Sequence, residues 1–412
     1  MCEAPRPTAV HYRILVAAWA GWTFDFYDLM LLTFLESAIC ADFGLVGAQR
    51  LTHWAQLLSV SLLATAAGGA IFAVLGDRFG RRAMMQWSIL TYSLGAFLCG
   101  MAGGIVPLAL ARVVTGLGVG GEWAMAHTLV AETFPPKVRG RFGALVQTGA
   151  PIGVGLAALA GSFLAPKIGW RAVFMISALP ALLVVYIRAH IPESDLWQRA
   201  RARGGTGAGL ALRALVARGM RGLAARALLL ATFNMSAYWF TYIWLPGYLV
   251  HQRHMSIARS GLKVLVVVFG ELLGYASFGW VSDRVGRRPA FTLYAMIMAL
   301  GLAMITLQWD LIEHHPGWLL FFLALTGFGT GTWSNFGPMF SELFPTVLRA
   351  TATGTLFNAA RGAQFAAPLV IAAMAARWGL AGGISLGAGF AVLAGLWVWT
   401  FPETRGRELH RE

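Results

Sequence analysis

The sequence predicts an all-α membrane protein with twelve transmembrane helices arranged as two pseudo-symmetric six-helix bundles. Three observations carry this. Of 412 residues, 58% are hydrophobic and 12% charged, against roughly 45–50% and 25% in a soluble domain. Apolar runs of about 20 residues, enough to cross roughly 30 Å of hydrocarbon as helix, recur along the chain. The second half repeats the motifs of the first in the same order.

The runs fall at 12–38, 54–75, 83–102, 105–133, 141–165, 170–188, 225–250, 259–281, 289–309, 317–343, 350–376 and 379–401. The first is too long and too acidic for a cleaved leader. Internal Gly and Pro are compatible with spans whose neighbours re-satisfy the backbone. The longest connection, 189–224, is rich in Arg, Gly and Ala and divides the chain into an amino-terminal bundle (1–188), a linker (189–224) and a carboxyl-terminal bundle (225–412). Within the linker, Ser194–Ala202 reads equally well as a short surface helix or a solvated loop.

The net charge of +14 is a topology signal. Of the 32 Lys and Arg, 23 fall in loops on one side if both termini share it, seven fall on the other, and Arg112 and Arg361 lie inside helices. The positive-inside rule then puts both ends in the cytoplasm. The basic residues are not interleaved with exposed aromatics on one face, so nucleic acid is not an expected partner. Cys2, Cys40 and Cys99 have no spacing that suggests metal or disulfide.

The repeat is specific. Gly76-Asp77-Arg78-Phe79-Gly80-Arg81-Arg82 answers to Ser282-Asp283-Arg284-Val285-Gly286-Arg287-Arg288, and Gly116–Trp123 to Gly327–Trp333. Glu132-Thr133-Phe134-Pro135 with Arg139 answers to Glu342-Leu343-Phe344-Pro345 with Arg349, and Pro192-Glu193-Ser194 to Pro402-Glu403-Thr404. Offsets stay between 206 and 211. Tandem bundles of this kind place a cavity at their interface near the bilayer midplane.

These residues resemble the signature set of the major facilitator superfamily: the Gly76–Arg82 loop, its echo, the Arg112-x-x-x-Gly116-x-Gly118 run and the Pro402-Glu403-Thr404 end, over about residues 12–405. Within it, Asp25-Phe26-Tyr27-Asp28 resembles the Asp-Gly-Phe-Asp element of proton-coupled organic-acid symporters of the sialate, aromatic-acid and monocarboxylate groups, with Phe26 where those groups often have glycine. Gly118–Trp123 points the same way. The resemblance implies a secondary transporter working by alternating access, with the first and fourth helices as neighbours. It also makes Gln147 similar to a cavity glutamine of sugar porters.

The residues themselves point to chemistry through charge in hydrocarbon. Each Asp or Arg at a helix centre costs about 2.5–3.5 kcal/mol; Asp25, Asp28, Glu122, Glu271, Arg112 and Arg361 are six such groups. Four acids against two bases imply that at least one acid holds a proton. Asp28, with Asp25 one helical turn away, is the expected group that exchanges between a proton and Arg112; Glu122 and Glu271 complete the candidate proton-coupling set. A static ion pair that fixes packing is the alternative for Arg112.

Arg361 is the candidate anion ligand, its fork matching a carboxylate, with Asn358 and Gln364 on the same helix. Asn234, Tyr238 and Tyr242 on the seventh helix and Asn335 on the tenth suggest a polar wall in the second bundle, or interhelical hydrogen bonds. Gln147 and His127 are further candidate contacts, and Glu271 is an alternative partner for Arg361. Asp77, Arg81, Glu132, Arg139, Asp283, Arg287, Glu342 and Arg349, at helix ends, read as gating salt bridges that break as the bundles rock.

There is no P-loop, no nucleophile constellation and no metal spacing, so neither an enzyme, a metal nor a cofactor is expected. The reading is a proton-coupled symporter of a small organic anion, a monocarboxylate or aromatic acid. It is a monomer in the inner membrane, with the anion, the proton and the lipid bilayer as partners. A sugar or other neutral-metabolite porter is the alternative.

Overall fold

A computed structural model describes residues 8–134, 139–202, 217, 219–344 and 346–405. The side chains of Arg139, Arg349 and Trp123 lie outside the described residues, as do Pro135–Val138 and most of the linker.

Twelve passes build two six-helix bundles. In the first, α1 is Ala9–Asp42, α2 Gly47–Phe79, α3 Arg81–Gly100 and α4 Ile105–Thr133. The segments Arg139–Gln147, Gly149–Leu159, Ala160–Leu164 and Ala165–Ile168 make up α5, and Trp170–Ile176 with Ala181–His190 makes up α6. In the second bundle α7 is Arg221–Tyr242 continued by Leu245–Gly247 and Tyr248–Gln252; α8 is Ile257–Val285 and α9 is Arg287–Leu307. The tenth pass, α10, runs Pro316–Gly329, Thr330–Asn335 and Phe336–Leu343. Thr346–Ala363 opens α11, which continues into Ala366–Trp397 as far as Gly379; there a φ of 67° turns the chain into α12. Among the described residues, seven helical stretches are long and apolar enough to cross a membrane, one of them the 47-residue Gly354–Thr400 that folds back at Gly379.

The interrupted passes have identifiable causes. Pro166 follows the π-helical turn Ala160–Leu164 in α5, and Pro246 precedes the π-helical turn Tyr248–Gln252 in α7; a missing N–H breaks the i→i−4 ladder at each point. In α10 the glycine-rich stretch tightens into six residues of 3₁₀ helix, Thr330–Asn335. Each such break leaves backbone polar groups without ladder partners inside the bundle, to be satisfied by neighbouring groups.

The repeated motifs do the same work twice. Gly80 between α2 and α3 has φ 105°, and Gly286 between α8 and α9 has φ 106°, a backbone that side chains rarely adopt. A Cβ at either glycine would also strike a carboxylate, Glu193 at the first and Glu403 at the second. Glu193 accepts from the backbone N–H of Arg81 at 2.9 Å and Arg82 at 3.2 Å; Glu403 accepts from Arg287 at 2.8 Å and Arg288 at 3.1 Å. Each Pro-Glu-Ser/Thr end therefore caps the orphan donors of the third helix of its bundle. The short helix Asp195–Ala202 forms just after the first cap, and Trp197 ties it down by donating from Nε1 to the carbonyl of Asp77 at 2.8 Å.

The glycine motif on α4 brings backbones together. Gly120 faces the Thr65 carbonyl of α2, where a side chain would overlap it, and on α10 Gly327 faces the Val267 carbonyl of α8 in the same manner. Between bundles, Gly155 of α5 faces Val268 and Leu265 of α8, and Gly69 of α2 faces Asn358 of α11.

The Glu403 cap yields a pH prediction. Burial pushes its carboxyl up, but the N–H groups of Arg287, Arg288, Arg405 and Thr404 together hold it below the ordinary 4.5. The cap therefore contributes stability above the unfolded value and loses it as pH falls through the depressed folded value. Glu403→Gln should lower Tm by about 2–4 °C at pH 7, and thermal unfolding followed to acid pH should show the gap closing below pH 4.5; a gap independent of pH would remove the ionised cap.

Candidate functional site

The buried charges face the inside of the protein. Asp25, Asp28, Arg112, Glu122 and Glu271 are at most 1% exposed and Arg361 is 2% exposed. They separate into three groups.

In the first, Arg112 on α4 donates from Nη1 to Asp28 Oδ2 on α1 at 2.7 Å, and from Nε to Ser61 Oγ on α2 at 3.4 Å. This pair lies wholly within the amino-terminal bundle. Its other members are left over: Asp28 Oδ1 and Arg112 Nη2 have no partner among the described residues.

The second group spans the bundles. Asp25, three residues before Asp28, points away from Arg112; its carboxyl faces that of Glu122 on α4 within hydrogen-bonding reach. Neither acid meets a protein donor among the described residues, and two acceptor-only carboxylates are joined only through a proton. Across the interface from α11, Arg361 is the positive charge that both acids face. Its guanidinium stands 5.8 Å from the centre of the Trp22 ring, and Nη1 and Nη2 make no hydrogen bond among the described residues. Trp22 in turn meets His127 edge-on at 5.9 Å and Phe26 at 4.7 Å. A guanidinium fork with two free donors has the geometry that can receive a carboxylate.

The third group lines the carboxyl-terminal bundle. Tyr238 and Tyr242, one turn apart on α7, stack at 4.0 Å; Tyr238 meets Trp333 of the 3₁₀ stretch at 5.4 Å and Phe26 of the other bundle at 6.3 Å. Glu271 on α8 faces Tyr242 and Tyr275. Asn234 accepts from Thr332 at 2.7 Å, tying α7 to α10, and its Nδ2 is unused among the described residues. Asn335 donates to Met339 Sδ at 3.2 Å and keeps Oδ1 unused.

Several expectations are corrected. Arg361 and Glu271 do not pair: the arginine turns to Asp25 and Glu122, the glutamate to tyrosines. Asp25 does not share Arg112 with Asp28. The Gln364 amide is engaged within the protein: its oxygen accepts from Ser236 at 3.1 Å while its nitrogen donates to Ala360 at 3.0 Å and Thr232 at 3.4 Å, tying α11 to α7. Asn358 spends its nitrogen on the Gly354 carbonyl at 3.0 Å and turns its oxygen towards Gly69 of α2. Gln147 is half-buried at the break in α5 and makes no bond to Arg361 or its partners among the described residues.

The salt bridges expected to gate close within each bundle. Arg81 binds Asp77 at 2.7 Å and Glu132 at 3.2 Å; Arg287 binds Asp283 at 2.7 Å and Glu342 at 3.2 Å. Each set joins the ends of three helices of one bundle, so it fixes that bundle as a rigid unit. Arg139 and Arg349 fall outside the described side chains.

A contact that does cross the bundles lies at the opposite face. Arg50 at the start of α2 grips Glu36 of α1 through Nη2 at 2.6 Å and Nε at 3.2 Å. His251, from the π-helical turn of α7, reaches Arg50 Nη1 at 3.3 Å and Ser37 Oγ at 3.2 Å. A cavity of about 10 Å³, about one water, lies beside it, lined by Glu36, Ser37, Ser162, Pro246, Gly247 and Ser260 among others. Sequence reasoning missed this clamp; the available signal is an acid in an apolar run, Glu36, together with an arginine on the sparsely basic side, Arg50.

A profile of the Major Facilitator Superfamily matches residues 16–274 and again 227–411. The chain belongs to the Major Facilitator Superfamily, whose members are membrane transporters and not enzymes. It is 30% identical over 97% of its length, and 98% of the relative's, to a putative metabolite transport protein of Haemophilus influenzae. It is 31% identical to a probable 4-methylmuconolactone transporter of Cupriavidus pinatubonensis, covering 95% of this chain and 90% of the relative. It is 30% identical to the sialic acid transporter NanX of Escherichia coli, covering 91% and 89%. Its fold is similar to that in a crystal structure of a D-xylose-proton symporter, with TM-score 0.78, 21% identity, and coverage of 97% of this chain and 100% of that one.

The clamp is testable through a native thiol. Cys40 is 2% exposed and lies beside Arg50 and Glu36. In a Cys2→Ser background, Arg50→Ala should raise its labelling by a membrane-impermeant maleimide by about fivefold or more, as the local opening that Arg50 opposes becomes populated. Unchanged labelling would show that the arginine does not hold this face closed.

Proposed function

We propose that the chain carries a small organic anion, a monocarboxylate or aromatic acid, together with a proton by alternating access across the inner membrane. The single observation that carries this reading is Arg361, buried across the bundle interface from Asp25 and Glu122 with both terminal nitrogens unpaired among the described residues. The similarity to a probable 4-methylmuconolactone transporter and to a sialic acid transporter supports the substrate class.

The charge arithmetic supplies the coupling. With one proton shared between Asp25 and Glu122, the pair bears one negative charge and Arg361 neutralises it. A substrate carboxylate arriving at Arg361 takes over that counter-charge, and the acids then take up one more proton to keep the buried site neutral. Anion and proton enter together and leave together, so a monoanion moves without net charge. Asp28, released from Arg112 when protonated, is the second exchange site and links the cycle to the packing of α1 against α4.

Each bundle, divided at the 189–224 linker, moves as a unit held by the Arg81 and Arg287 networks. The arginine-rich face is cytoplasmic, with both termini, and the Arg50 clamp closes the outer face. The protein works as a monomer. A neutral sugar gives Arg361 no counter-charge, which favours the anion over a neutral-metabolite cargo.

In proteoliposomes an inside-alkaline pH gradient should drive accumulation of labelled benzoate or lactate; equal uptake without the gradient would indicate a uniporter. Arg361→Lys keeps the charge and loses the fork, so the apparent KM for the carboxylate should rise about tenfold or more. Asp28→Asn should retain counterflow and lose gradient-driven accumulation; full accumulation by this variant would remove Asp28 from the coupling.

A further inference from the structure

A groove on the outside of the amino-terminal bundle holds no part of the anion or proton site. It lies between α1 and α5 and has a volume of about 430 Å³, within the roughly 300–1,000 Å³ of small-molecule sites. Phe24 and Tyr27 line it from α1, and Leu156, Ala160, Phe163 and Lys167 are among the residues that line it from α5. Leu156 and Phe163 are exposed on a segment that crosses the membrane, so the groove opens to lipid. Tyr27 Oη is hydrogen-bonded to Ser177 Oγ at 3.0 Å, which leaves its ring as the wall. The recess originates in the π-helical turn Ala160–Leu164. Gly161 seats that turn on α1, where a Cβ would strike Phe34, and the side chain of Ala160 is too short to fill the space beside it.

Depth and charge select the occupant. Lys167 stands eleven residues after Leu156, about 16 Å along a helix. That is about half of the roughly 30 Å hydrocarbon core, the depth of one leaflet, so the groove runs the way a lipid chain runs. Water finds too few polar partners in such a lining. Lys167 alone among the lining residues carries charge; it is exposed and forms no ion pair among the described residues. Arg171, one turn further on, is already engaged by Asp42 at 2.5 Å and the Ala102 carbonyl at 3.1 Å. A lysine stem lies along apolar surface and holds its ammonium at the water boundary, where it attracts an anionic headgroup. We propose that this groove binds an anionic glycerophospholipid, one acyl chain lying along α5 and the phosphate on Lys167. Phe24 and Tyr27 directly precede the buried Asp25 and Asp28, so the lipid chain packs on the outer side of the α1 turn that carries both acids inside. The proposal is independent of what is transported.

The test uses the full chain in phosphatidylcholine vesicles that contain a small, equal fraction of one of two probes. These are phosphatidylglycerol and phosphatidylcholine carrying the same diazirine-bearing acyl chain, and peptide mass spectrometry locates the adducts after illumination. Yields are taken relative to those at Leu293 and Leu300, exposed positions on α9. Adducts on residues 156–164 should be about fivefold more abundant with phosphatidylglycerol, as one lysine contact at a membrane surface provides. Lys167→Gln, at an exposed position, should bring the two probes level, and Lys167→Arg should keep the preference. Equal yields from the two headgroups in the unaltered chain, or a preference that survives Lys167→Gln, overturn the anionic seat. Adducts missing from the groove with both probes, as when a second copy of the chain covers it, overturn the lipid site altogether.

Discussion

Charge buried in hydrocarbon has to be neutral in sum, and that constraint organises this molecule. Among the described residues, six ionisable groups are buried at the centre of the helices, two basic and four acidic, and a further acid, Glu36, is buried at the outer end beside Arg50. One arginine pairs with one acid within a bundle, by a 2.7 Å bond. The other reaches across the interface to a pair of acids that need a proton to lie together. On the proposed reading, the two bundles are held together at the centre by a charge balance that a carboxylate and a proton both alter, and alternating access follows from it.

The rest of the fold keeps each bundle rigid while leaving that interface adjustable. Glycine-backbone contacts between α2 and α4 and between α8 and α10, and the Glu193 and Glu403 caps, fix helices within bundles. Irregular backbone is placed where bundles meet. The π-helical turn of α7 brings His251 to the outer clamp, and the 3₁₀ stretch of α10 presents Trp333 to the aromatic wall. Such turns give up ladder hydrogen bonds, which a packed protein tolerates only where other groups or a ligand re-satisfy them.

What was legible in the sequence follows from range. Twelve apolar runs and the doubled Gly/Ser-Asp-Arg, Glu-Leu/Thr-Phe-Pro and Pro-Glu-Ser/Thr motifs are local or periodic signals, and they define the fold. The approach of Asp28 to Arg112 follows from a family resemblance that makes α1 and α4 neighbours. The partner of Arg361 was not legible, since no spacing along α11 reveals that α1 and α4 of the other bundle supply Asp25 and Glu122. Gln364 read as a ligand for the same reason: its amide is taken up by Ser236 and Thr232 on α7, contacts invisible from its own helix. The Glu36–Arg50–His251 clamp joins residues up to 215 positions apart and is likewise a product of tertiary packing.

The most direct test of the central claim is to count protons on binding. Benzoate added to the purified protein in weakly buffered detergent solution at pH 7, with a pH-indicator dye, should cause uptake of about one proton per anion bound, as linkage requires when the anion takes the counter-charge of the acid pair. Saturable binding with no proton uptake would contradict the account, because Arg361 would then serve substrate and acids independently.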